Sequence, residues 1–217
     1  MSIQLFIEKN FHSSCFHNME LPIFPLNGAV LFPGTSLPLN IFEDRYIDMI
    51  NYALTKDRCI GMIQTDDKKK LFQIGCIGKI HSFNETSDGR YLISLQGLNC
   101  FKVLKELNVD FNFRIVKCEL LSNNETVDNK VSINNRKEII LDKYREYINF
   151  KNINIDLSEI EKIELDQIVK FIAMVSPFKN IDKQALLESY NFNEFYTKLE
   201  SIIDLEIAGE SINKTLN

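Results

Sequence analysis

The apolar residues of this chain change their period once. From Leu21 to about Leu121 they come in short, β-branched runs separated by turn signals, the pattern of strands that bury one or both faces. "CIGMIQT" (Cys59 to Thr65) predicts a buried strand, and "IGCIGKIHSF" (Ile74 to Phe83) one whose second half alternates. Asp88-Gly89 separates that strand from the run through "YLISLQGL", and Asp-Gly between such runs is a strong short-range hairpin signal. "CFKVLKEL", which begins at Cys100 after a turn at Gly97, and "FNFRIVKCELL", which begins at Phe111, add two more strands. One helix interrupts the set, from about Glu43 to Thr55, on the helical spacing of Ile47, Ile50 and Leu54.

Asn and Ser cluster at "SNNETVDN" (Ser122 to Asn129), a linker signal. Beyond it the period is helical. Ile139, Ile140, Tyr144, Tyr147 and Ile148 form one stripe, and Ile160, Ile163, Ile168, Phe171, Ile172 and Val175 form another that Pro177 stops. "IDKQALLES" predicts a short helix opening near Asp182, and "FNEFYTKLESIIDLEIA" a last one. The second section is thus expected to be a bundle of about four helices and roughly 85 residues. A β-rich section followed by helices is an α+β fold. The expected division is an N-terminal extension over residues 1–18, disordered or loosely docked, and a β-rich domain over 19–121. A linker over 122–130, a helical bundle over 131–210 and a tail over 211–217 complete it.

With 217 residues, 45% of them hydrophobic and 25% charged, the chain has the composition of a globular protein with a real core. No apolar run approaches the roughly 20 residues that span a bilayer. "MSIQLFIEKNFHSSCFHNME" lacks the basic start, long apolar middle and small-residue cleavage site of a signal peptide, so a cytoplasmic location is expected. A net charge of −5 weighs against nucleic acid, whose affinity comes largely from Lys and Arg on phosphates. The only basic run, Lys68-Lys69-Lys70, follows Asp66-Asp67 and reads as a solvated loop. The five cysteines, Cys15, Cys59, Cys76, Cys100 and Cys118, never form a C-x-x-C pair. The last four lie in apolar, strand-like stretches, as buried reduced thiols do.

Catalytic signatures are missing. Gly28 and Gly34 flank "AVLFP", but Thr35 stands where a phosphate-binding loop needs Lys, and the spacing is wrong. There is no G-x-S-x-G elbow and no H-E-x-x-H. Only three histidines, His12, His17 and His81, are available to shuttle protons. His12, Cys15 and His17 can each ligate metal, but their spacing matches no structural zinc pattern and a fourth ligand is not evident. The carboxylate pairs Asp66/Asp67, Glu159/Glu161 and Glu206/Glu210 read as solvated faces of an acidic protein. No catalytic, metal or cofactor site is therefore expected.

"LPLNIFEDRYIDMI" (Leu37 to Ile50) sets an acid, a base and a phenol side by side at Glu43, Asp44, Arg45 and Tyr46. Pro38 keeps Leu37 extended, Glu43 and Asp44 fall where the unpaired amides of a helix start favour negative charge, and Tyr46 shares a face with Ile50. Nothing there supplies a tuned base beside a nucleophile. The cluster reads as a structural latch that starts a helix and locks it onto the sheet. "LFPG" suits a turn with Pro33 second and Gly34 third, and Pro22, Pro25 and Pro38 are expected on sheet edges or strand starts.

"LPIFPLNGAVLFPGTSLPLNIFEDRYIDMI" also resembles the opening of the Lon protease N-terminal (substrate-binding) domain family: an L-P-x-x-P-L run, then L-F-P-G, then P-L-x-x-F-E-x-R-Y. The likeness continues through "CIGMIQ" and "LFQIGCIGKIHSFNETSDGRYLISLQGLNCFKV". "FIAMVSPFKNIDKQALLES" is similar to the helical part of stand-alone bacterial members. One departure is Cys100, where many members carry Arg. The resemblance implies a PUA-like β-barrel with one helix followed by a helical bundle, standing alone without the ATPase and peptidase of full-length Lon. It implies a non-catalytic module that binds unfolded or apolar polypeptide, an adaptor in protein quality control or proteolysis, partnered by a protease or chaperone. The alternative is RNA binding, because PUA-like barrels elsewhere bind RNA; the acidic balance and the lack of an aromatic-plus-Arg platform weigh against it. A hidden hydrolase would need a nucleophile and base that the sequence does not display. No substrate-binding residue, cofactor or oligomeric state is assigned.

Overall fold

The computed structural model describes residues 17–121 and 130–215. The expected extension and linker lie outside the described residues, apart from their bordering positions His17, Asn18 and Lys130. The chain forms two compact units, residues 1–122 and 123–217.

The first unit is a mixed six-stranded sheet with one helix. Its strands are β1 (His17–Pro25), β2 (Ser36–Ile41), β3 (Cys59–Ile63), β4 (Ile74–Glu85), β5 (Tyr91–Leu107) and β6 (Arg114–Leu120). Helix α1 (Asp44–Leu54) lies between β2 and β3. The strand order is β2-β5-β4-β3-β1-β6, and β6 pairs again with β5, so five strands form a closed circuit of ladders with β2 added to β5. Only β1 and β3 run parallel. Leu21, Ile23, Ile63, Ile77, Phe101, Val116 and Cys118 form a buried core cluster inside this unit.

The Asp88-Gly89 hairpin forms as expected. Gly89 takes the positive φ (82°) that the turn needs, and Thr86 and Arg90 bond across it. The "LFPG" turn also forms, with Gly34 at φ 82° and the Thr35 amide donating to the Phe32 carbonyl at 3.1 Å.

Three expectations need correction. Gly97 is not a turn: β5 runs unbroken from Tyr91 to Leu107, absorbing what reads as two strands. Irregularities in the β4–β5 register, between Cys76 and Gly78 and between Ile80 and Ser82, take up the misfit instead. The last strand begins at Arg114, three residues late, because Phe111 to Phe113 belong to the preceding loop. Pro22 lies in β1, between β3 and β6, and not on an edge; it is tolerated because the β3 ladder starts only at Ile23. Pro38 does occupy an edge strand, and Pro25 ends β1.

The second unit contains α2 (Lys130–Phe150), α3 (Leu165–Val175), α4 (Asn180–Leu187) and α5 (Phe192–Thr215), with a 3₁₀ turn at Ile160–Lys162. The last helix runs on through part of the expected tail. Ile140, Tyr144, Tyr147 and Ile148 are buried on α2, whereas Ile139 on the stripe's flank is exposed. On α3 Ile168 and Ile172 are buried; Ile163 precedes the helix and is exposed, as is Val175 at its end. Ser176 is extended before Pro177, which is why α3 stops there. A helix end leaves carbonyls without intrahelical partners. Lys183, only 5% exposed, donates to the Met174 carbonyl at 2.9 Å, and Lys198 donates to that of Ala185 at the same distance. Burial lowers the Lys183 pKa, but its ammonium is already engaged at the end of α3.

Candidate functional site

At the Glu43–Tyr46 junction, Glu43 is the N-cap of α1 and Asp44 its first residue, one position later than the spacing suggests. The Glu43 carboxylate does not reach the helix amides; it pairs with Arg45 at 2.7 Å, and both side chains are about half exposed. Tyr46 is buried, its ring edge-on to Phe24 at 4.3 Å, and the Arg45 guanidinium lies over its outer face at 4.4 Å. Burial raises the phenol's pKa above its ordinary value against the pull of the Arg45 charge, so Tyr46 is no acid or base near neutrality. Glu43, Arg45 and Tyr46 thus form one connected group at the helix start, with Asp44 in its first turn. Tyr46→Ala is expected to cost about 3 kcal/mol and Arg45→Ala less than about 1 kcal/mol, because the first empties a core site and the second removes a solvated pair. Urea unfolding measures both, and equal losses would contradict the division.

Burial pushes the Cys59 thiol up to about 11 and the Cys118 thiol up to about 12, so neither is a nucleophile at neutral pH. Cys76 faces Cys100 across the β4–β5 ladder, both buried. Cys100 thus occupies a site within the sheet. His81 is on the exposed half of β4, while His12 and Cys15 lie outside the described residues. Among the described residues no group of His, Cys, Asp and Glu is placed to hold a metal. Of the carboxylates singled out above, Asp67 is exposed and the Glu210 side chain lies outside the described residues. Glu159 pairs with Lys162, Glu161 with Arg145 and Glu206 with Lys151, and Asp66 accepts the Lys68 and Lys70 amides in an exposed loop.

One surface feature among the described residues gathers aromatic and acidic side chains around an open hollow. Helix α1 buries Tyr46, Met49, Ile50 and Ala53, which leaves Asp48 and Tyr52, one turn apart, on its flank. The loop before β6 brings Asp110, Phe111, Asn112 and Phe113 against them, enclosing an open hollow of about 420 Å³. Phe111 and Phe113 stack at 4.9 Å with planes 10° apart, and the Tyr52 ring meets them at 5.2 and 5.4 Å. Phe113 is buried and anchors the group; Phe111 is 50% exposed. Asn112 donates to Asp48, tying the loop to the helix, and the Lys56 ammonium sits 4.3 Å from the Tyr52 centroid.

This hollow is absent from the expectations drawn above. The available signals were Tyr52, an aromatic out of phase with the buried stripe of α1, and "DFNF", which holds two phenylalanines beside turn-forming residues. Neither reveals that residues some sixty positions apart meet.

The comparisons with known proteins are consistent with this architecture. Residues 20–204 match the family described as the ATP-dependent protease La (LON) substrate-binding domain. The Lon protease of Buchnera aphidicola subsp. Baizongia pistaciae is 28% identical over 199 residues, covering 87% of this chain and 25% of that protein. The Lon protease of Cytophaga hutchinsonii is 26% identical over 220 residues, covering 85% of this chain and 26% of that protein. The chain thus spans about a quarter of the length of the curated relatives it matches. A Lon N-terminal domain protein from Xanthomonas campestris superposes with a TM-score of 0.63 at 18% identity, covering 86% of this chain and 98% of that one. The N-terminal domain of Mycobacterium avium complex Lon protease gives 0.64 at 15% identity, covering 87% and 98%. At these identities the two structures speak for the fold alone.

Proposed function

The chain belongs to the LON substrate-binding domain family, and from that premise we propose that it is a non-catalytic module that captures exposed apolar segments of other polypeptides. Such a module would serve as an adaptor or recognition factor in proteolysis and quality control, in a cytoplasmic setting. The observation that carries this reading is the aromatic hollow. Phe111 is held half exposed by stacking on a buried neighbour, so a ligand gains apolar contact without first ordering the ring. The acidic rim of Asp48 and Asp110 disfavours a phosphate backbone, so RNA binding draws no support from this surface.

The test is titration of a labelled, permanently unfolded protein at low and at high salt, with structured RNA in parallel. Unfolded protein should bind, and a substantial part of that affinity should persist at high salt, because screening leaves apolar burial intact. Phe111→Ser should weaken it about tenfold, the effect of losing one central aromatic contact, while the lost stacking lowers stability by only about 1 kcal/mol and leaves the chain folded. The purified chain should neither hydrolyse ATP nor cleave casein. Affinity for RNA alone, collapsing as salt rises, would overturn the assignment.

A further inference from the structure

We propose that the hollow selects segments in which a lysine or arginine lies beside an apolar residue. This rests on the reading of the hollow as the polypeptide contact, and adds which polypeptides it prefers. The six residues that line it include two carboxylates, Asp48 and Asp110, and no cation. Of the cations beside the lining residues, Lys56 has its ammonium engaged by the Tyr52 ring and hydroxyl, and Arg114, next to Phe113, is paired with Glu106. Asp48 is exposed and accepts the Asn112 bond through one of its two carboxylate oxygens.

A purely apolar segment laid over Phe111 and Tyr52 would strip water from these carboxylates and give them nothing in exchange. An acidic segment would be repelled. A lysine or arginine resolves the conflict, because its methylene stem packs on the rings while its charged head reaches the carboxylates. The molecule already contains one instance of this contact: Lys56 lies over the Tyr52 ring. An arginine adds a planar face that stacks on Phe111, the accessible ring.

The experiment uses three labelled peptides of equal length and apolar content, differing only in Arg, Gln or Glu at the positions flanking a Leu-Phe pair. At low salt the full chain should bind the Arg peptide about fivefold more tightly than the Gln peptide, the yield of one or two exposed charge contacts, and the Glu peptide most weakly. The Arg preference should shrink as salt rises while the Gln affinity holds. Asp48→Asn combined with Asp110→Asn should abolish the preference, bringing the Arg, Gln and Glu peptides to one common affinity, whereas Phe111→Ser should weaken all three and keep their order. Equal binding of Arg and Gln peptides by the parent chain, or a preference that survives in the double variant, overturns the proposal and leaves polypeptide capture standing. Failure of all three peptides to bind overturns both.

Discussion

Gly97→Ala is expected to destabilise the sheet unit by about 3 kcal/mol or more, a large share of the 5–15 kcal/mol typical of whole domains. A methyl group on Gly97 would lie 2.1 Å from the Phe32 carbonyl oxygen and 3.2 Å from the Leu31 side chain. Something must move, and the backbone of the Phe32–Thr35 turn cannot do so cheaply. The Gly34 amide donates to the Gly97 carbonyl at 2.9 Å, and the Gly97 amide donates to Thr35 at 2.8 Å. The Thr35 hydroxyl, itself buried, donates to the same Phe32 carbonyl at 2.8 Å. Retreat of the turn would therefore break two backbone hydrogen bonds and strand a buried carbonyl. Denaturant unfolding of the variant should show a sharply lowered midpoint; a midpoint matching the parent's would mean that the close approach is not rigid.

Phe101 and Gly61 offer the second large effect, and one that a second substitution should partly undo. Phe101 is fully buried in the core cluster, and Phe101→Ala should cost about 4 kcal/mol, the usual penalty for emptying an aromatic site. Its ring end lies where a methyl on Gly61 would stand, at 2.8 Å, and where a methyl on Gly75 would stand, at 2.7 Å. The two glycines differ in what else they meet. The three atoms nearest a methyl on Gly61 belong to the Leu21 and Phe101 side chains, while a methyl on Gly75 would also strike the Met62 backbone carbonyl at 2.5 Å. Each Gly→Ala change alone should be destabilising. In a Phe101→Leu background Gly61→Ala should recover part of its cost, because the Leu21 contact at 2.8 Å remains, and Gly75→Ala should recover less, because the Met62 carbonyl remains at 2.5 Å. Unfolding of the six chains in a double-mutant cycle checks this, and equal recovery at both glycines would refute the assignment of the clashes.

These contacts explain which parts of the fold could be read from the residues. The Asp88-Gly89 hairpin, the "LFPG" turn and the switch to helical period at the second unit depend on neighbours in sequence, and each formed where local chemistry put it. Gly97 was misread as a turn because glycine serves two purposes. Its backbone angles are ordinary, and it is needed for the space that Phe32 occupies from sixty-odd residues away. The late start of β6 has a similar cause: Phe111 and Phe113 have strand propensity, but stacking on each other and on Tyr52 holds them in the loop. The hollow is a product of that tertiary contact, so its location was not legible; at Glu43–Tyr46 the Glu43–Arg45 pair is local and legible, whereas the seat of Tyr46 against Phe24 is not.

The closed circuit of ladders also sets an order on synthesis. Strand β1 needs β3 on one side and β6 on the other, and β6 leaves the ribosome roughly ninety residues after β1. At usual elongation rates that interval lasts on the order of ten seconds. Until Arg114–Leu120 emerges, β1 and the far end of β5 each present an unpaired edge next to core residues such as Leu21 and Phe101, a template for wrong pairing. During its own birth, then, this chain displays the open edges and bare apolar side chains of the kind of polypeptide that we propose it captures.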